Sequence, residues 1–95
     1  MQTNLHNFDR KLKEDFTMPH IIIKAISGAS DAQKQDAAKQ AIAVVSKSLG
    51  KPEKYFSVAV EEYSFAEWEG VYNEHIKDNA CVLIKPGYSN PKTFE

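Results

Sequence analysis

Apolar positions along the chain fall into four blocks with two different periods. His20-Ile21-Ile22-Ile23-Lys24-Ala25-Ile26 is nearly continuous, rich in β-branched residues, and stops at Ser27-Gly28. That pattern predicts a strand covered on both faces and closed by a turn. Ser30, with Gln33 three residues on, is a capping-box signature, and Ala38, Ala41, Ile42, Val45 and Leu49 follow at helical spacing. Gly50 and Pro52 end that helix. Tyr55 to Glu61 returns to strand composition, with Phe56, Val58 and Val60 on one face and Tyr55, Ser57, Ala59 and Glu61 on the other. Ser64-Phe65-Ala66-Glu67 is a second capping box, followed by Trp68, Val71, Tyr72 and Ile76 on one helical stripe. This helix is predicted to run from about Phe65 into the 80–84 region, with Cys81 packed on its late turns. Lys85-Pro86-Gly87-Tyr88 reads as a stop and turn, with a flexible tail from Ser89 to Glu95.

A strand, a long helix and a second strand make a parallel pair with a right-handed crossover. The fold class is therefore α/β (α+β), in the order β-α-β-α. Two strands alone do not make a stable sheet. The segment from Pro19 to Glu95 is also short for a self-sufficient core, so the two-stranded sheet is expected to associate with a second subunit.

Residues 1–17, MQTNLHNFDRKLKEDFT, differ from the rest in being charge-dense and poor in apolar residues. Leu5, Phe8, Leu12 and Phe16 recur at near-helical spacing, which fits an appended amphipathic helix. A mis-assigned start fits as well: a purine-rich run encoding Lys13-Glu14-Asp15, spaced from the Met18 codon by two codons, makes an ordinary ribosome-binding site. Neither a secretory signal nor a mitochondrial presequence suits this segment. Domain organisation is thus expected to be an extension over 1–17, one domain over 19–90 and a short tail over 91–95.

Charge and cysteine content narrow the function classes. Twelve Lys and Arg stand against thirteen Asp and Glu, so no basic excess draws the chain to nucleic acid or an anionic membrane. No apolar run approaches a membrane span, and the single cysteine, Cys81, fits a reducing, cytoplasmic setting. His20 and His75 have no metal-like spacing to other ligands, and Ser57 has no nucleophile elbow or recognisable paired base.

Chemistry concentrates at Met18-Pro19. Proline inside a chain is a tertiary amide without a basic nitrogen. If Met18 is the true start and is removed, Pro19 becomes a secondary amine. Terminal amines titrate near pH ~8, and burial lowers that value toward the range where general bases work best.

With Pro19 first, PHIIIKAISGASDAQKQDAAKQAIAVVSKSLGKPEKYFSVAVEE resembles the 4-oxalocrotonate tautomerase family. The capped aromatic segment SFAEWEGVYNEHI and the ending LIKPGYS resemble its short bacterial PptA-type members. The resemblance implies a cofactor-independent keto–enol tautomerase, an intramolecular oxidoreductase-type isomerase. Its Pro19 amine acts as general base and acid on a 2-hydroxydienoate or arylpyruvate-like acid. A homodimer is expected for this subgroup, with a hexamer as the related alternative.

One departure stands out. The positions where the family holds substrate with arginines are Ala29 and Ala59, and the chain's single arginine is Arg10. Substrate-binding candidates are therefore Trp68, Lys85, Phe65 and Tyr63, together with the N–H groups of the helix start near Ser30. Lys24 has the wrong strand parity relative to Pro19. Two alternatives remain. One is a non-catalytic oligomeric interaction module, should residues 1–17 stay attached and block Pro19. The other is a lyase or dehalogenase using the same proline, which would need a water-activating carboxylate close to Pro19 that the sequence does not place; Glu61 and Glu62 read as a solvated strand end, with a general-acid role as the alternative.

Overall fold

A computed structural model describes residues 18–89 of the chain. The extension over 1–17 and the tail over 90–95 lie outside the described residues. Elements follow in the order β1 (His20–Ile26), α1 (Asp31–Leu49), a 3₁₀ turn (Glu53–Tyr55), β2 (Ser57–Tyr63), α2 (Phe65–Val71) and a π-helical turn (Tyr72–Ile76). The two strands form one two-stranded sheet. The predicted β-α-β-α order holds.

Backbone bonds at the two ends of the sheet set its register. Ser57 N–H donates to the Pro19 carbonyl at 3.2 Å, and Ser27 N–H donates to the Tyr63 carbonyl at 2.8 Å. Both run in the same chain direction, so the pair is parallel. Each β1 residue then faces the β2 residue 37 positions later, as His20 faces Ser57. One face carries Ile21 and Ile23 with Val58 and Val60. The other carries His20, Ile22 and Lys24 with Ser57, Ala59 and Glu61.

Both capping boxes form as their spacing predicts. Gln33 N–H donates to Ser30 Oγ at 3.1 Å, and Ser30 N–H donates to Gln33 Oε1 at 2.8 Å. Glu67 and Ser64 repeat the arrangement at 3.1 and 2.8 Å. Gly50 closes α1 in the left-handed region, φ 68°, with its N–H on the Ser46 carbonyl, a conformation in which a Cβ costs energy. Ala38, Ala41, Ile42 and Val45 are half-buried along α1, whereas Leu49, expected on the same stripe, is 55% exposed.

Within the single chain burial in β1 alternates: Ile21, Ile23 and Ala25 are half-buried, but Ile22 and Ile26 are 48% and 41% exposed. The chain itself thus covers one face of this strand. Two expectations need correction. The second helix stops at Ile76 instead of continuing into 80–84, because Asp78 turns left-handed, φ 57°. Asn79 then takes over the backbone groups there: its amide donates to the His75 carbonyl at 2.7 Å and its oxygen accepts from Cys81 N–H at 2.9 Å. Short polar side chains compete with helix in this way. Cys81 is consequently exposed, as are Leu83 and Ile84.

The described residues divide into two compact units, one of 18–23 and 29–61, the other of 24–28 and 62–89. Among the described residues only Val71, in the second unit, and Ser46, in the first, are buried.

Candidate functional site

Pro19 stands at the head of β1 in the first unit. It is half-buried, and its carbonyl is held by Ser57 N–H, which fixes the peptide that follows the ring. Pro19 immediately precedes the first residue of β1.

Beside it lies a pair that sequence reasoning missed. His20 Nδ1 is 2.6 Å from Ser57 Oγ, and both residues are exposed. Ser57 therefore has a paired imidazole after all. The two residues are far apart in the chain, and only the parallel register brings them face to face, so no local spacing signals the contact.

A concavity of about 400 Å³ opens in the same unit between the start of α1 and β2, lined by Asp31, Lys34, Gln35, Ala38, Val58 and Val60. Its strand residues share the sheet face of Ile21 and Ile23. Lys34 is the cation here: its side chain is 27% exposed and its ammonium lies 3.4 Å from Asp31. The signal for Lys34 was present in the sequence, because it stands four residues before Ala38 on the stripe that continues to Ile42. The N–H of Gln33 at the helix start is already engaged by Ser30.

The second unit holds the four aromatic and basic candidates. Tyr63 and Trp68 meet edge to face at 6.2 Å, and Trp68 Nε1–H donates to Tyr88 Oη at 3.0 Å. Tyr72 and Tyr88 pack at 5.6 Å. Lys24 reaches the same cluster, donating to Tyr63 Oη at 3.3 Å with its ammonium 5.6 Å from the ring centre. Phe65 is half-buried as the first residue of α2. Lys85 does not join the aromatic cluster in any described contact; it lines a separate hollow of about 350 Å³ with Ile76, Asp78, Asn79, Ala80 and Val82. No cluster of three His, Cys, Asp or Glu side chains suited to a metal occurs among the described residues, and no described helix is long and apolar enough to cross a membrane.

Comparison with known proteins adds a relative. The chain is 38% identical over 73 residues to a protein named "Probable tautomerase" from Xylella fastidiosa (strain 9a5c), a match covering 75% of this chain and 89% of the relative. No family profile matches the chain.

Proposed function

The chain belongs to the tautomerase superfamily, and we propose that it is a cofactor-independent keto–enol tautomerase in which the amine of Pro19 moves the proton. The observation that carries this reading is the position of Pro19: immediately before the first residue of β1, half-buried, with its carbonyl held by a backbone rung from β2. Such a proline presents its nitrogen at a fixed place at the sheet's end. Met18, by contrast, is 60% exposed and takes φ 52°, a left-handed conformation that strains a residue with a long side chain. A chain beginning at Pro19 is free of that strain.

In the forward direction the neutral amine takes the proton from the enol oxygen of the substrate and returns it to the adjacent carbon as the ketone forms. The half-buried setting of Pro19 disfavours its ammonium form and keeps the base neutral nearer physiological pH. No bidentate guanidinium is available at Ala29 or Ala59 to clamp a second carboxylate. The preferred substrate is therefore an arylpyruvate-like monoacid rather than a dicarboxylate, with Trp68, Phe65, Tyr63 and Lys85 as candidate binding residues. The working form is a homodimer in the cytoplasm.

Two measurements test this reading. Intact mass of the protein as expressed from its own gene is expected to match a chain beginning at Pro19; a mass that retains Met1 overturns the proposal and favours the interaction module. Turnover of phenylpyruvate is expected to exceed that of 2-hydroxymuconate, and fast turnover of the dicarboxylate overturns the substrate class.

A further inference from the structure

Proton transfer at Pro19 leaves one requirement unmet: something must hydrogen-bond the substrate oxygen while its charge changes, and the positions Ala29 and Ala59 offer only methyl groups. The first rung of the sheet offers a hydroxyl. Ser57 N–H bonds the Pro19 carbonyl at 3.2 Å, so Ser57 lies directly across the ladder from the Pro19-His20 peptide. Its Oγ is 2.6 Å from His20 Nδ1, and both residues are exposed in the single chain. Strand parity separates the ring of Pro19 from this face, but Pro19 precedes the first strand residue, and a main-chain nitrogen belongs to neither side-chain face of a sheet.

We infer that Ser57 is a second catalytic residue, donating its hydroxyl hydrogen to the carbonyl oxygen of the substrate. His20 is the positioning residue that aims that hydroxyl. The inference rests on Pro19 being the base. This role requires the tautomer in which His20 carries its proton on Nδ1: Nδ1–H then donates to Ser57 Oγ, occupies a lone pair of the oxygen and turns its O–H outward. As the amine takes the enol proton, the O–H electron pair stays on oxygen and Ser57 O–H shares its hydrogen with that oxygen. The oxygen pair then forms the C=O bond, the C=C pair takes the proton from the ammonium at the adjacent carbon, and Ser57 keeps its own hydrogen. Nothing is consumed, and no bond forms between Ser57 and carbon. Fixed donors aimed at a developing oxyanion are the commonest large contribution to this kind of catalysis.

A serine-nucleophile role does not fit the same pair. A nucleophilic serine needs its imidazole oriented by a third group, and the register makes Ile22 and Ala59 the next residues on this face.

The test uses phenylpyruvate and the protein as the cell processes it, with circular dichroism and sedimentation confirming an unchanged fold and assembly. Ser57→Ala is expected to lower kcat about 100- to 1,000-fold with KM within about twofold, the range for loss of one oxyanion donor. His20→Phe is expected to do the same. His20→Asn, whose amide still donates to Ser57, is expected to restore kcat to within about threefold of the parent. A merely structural bond between the strands would change thermal stability and leave kcat alone. Insertion of one glutamine between Met18 and Pro19 keeps the proline nitrogen in an amide and separates the two proposals. Full turnover in that protein overturns the Pro19 reading. Loss of turnover there, with kcat unaffected in Ser57→Ala, overturns the role of Ser57 alone.

Discussion

Trp68 illustrates how a side chain that the sequence places on a helical stripe can still surprise by its partner. It stands on the stripe with Val71, Tyr72 and Ile76 and is half-buried. The sequence does not reveal that the indole N–H is already spent on Tyr88 Oη at 3.0 Å, because the partner sits 20 residues away beyond an irregular turn. Tyr88→Phe removes that acceptor and leaves the part-buried N–H to find water. The expected cost is about 1 kcal/mol, which lowers the melting temperature by roughly 4–8 °C for a domain of this size. A thermal melt followed by far-ultraviolet circular dichroism checks it, and an unchanged midpoint contradicts the assigned role. His20 and Ser57 teach the same lesson more sharply. Each is unremarkable in its own neighbourhood, and their pairing at 2.6 Å follows only from the register of two strands joined by a long crossover.

Elements were readable where their ends carry local chemistry. The serine boxes at Ser30 and Ser64 and the Gly50 stop are short-range devices, and each forms between residues a few positions apart. The far end of the second helix is hidden from periodicity, because the apolar pattern continues on both sides of Lys77-Asp78-Asn79. There the left-handed Asp78 and the two side-chain bonds of Asn79 terminate the helix. Gly50→Ala tests the other kind of stop. With φ at 68° and no atom within 4 Å of the added Cβ, the penalty is conformational rather than steric crowding by neighbours. A non-glycine residue in this region costs about 1–2 kcal/mol, so the melting temperature is expected to fall by several degrees while tautomerase turnover at 25 °C is unchanged. A stabilised variant would show that the α1 terminus relaxes away from the left-handed cap.

At the scale of the whole molecule, the described part of one chain buries very little of itself: among the described residues Val71 at 6% and Ser46 at 8% are the only ones buried. Ile22 and Ile26 on alternate positions of β1 remain 48% and 41% exposed, and Leu83 and Ile84 reach 93% and 88%. Apolar side chains left in water forgo roughly 1.5–3 kcal/mol each relative to full burial, and a chain this short has little stability in reserve. The sheet adds its own demand, since an exposed, apolar edge strand is a template for pairing with another copy. Length and strand count in the sequence already pointed to association; the uncovered residues of β1 name where a second copy of the chain would gain most. Ile22→Lys places a charge at that position without touching Pro19, His20 or Ser57. Sedimentation of the unsubstituted protein is expected to give twice the chain mass at micromolar concentration. Ile22→Lys is expected to shift it to the monomer and to lower the melting temperature by 10 °C or more, about 2 kcal/mol on the same scale. A parent protein that sediments as a monomer, or a variant that keeps the parent's mass, would show that these side chains tolerate water and that burial is completed elsewhere.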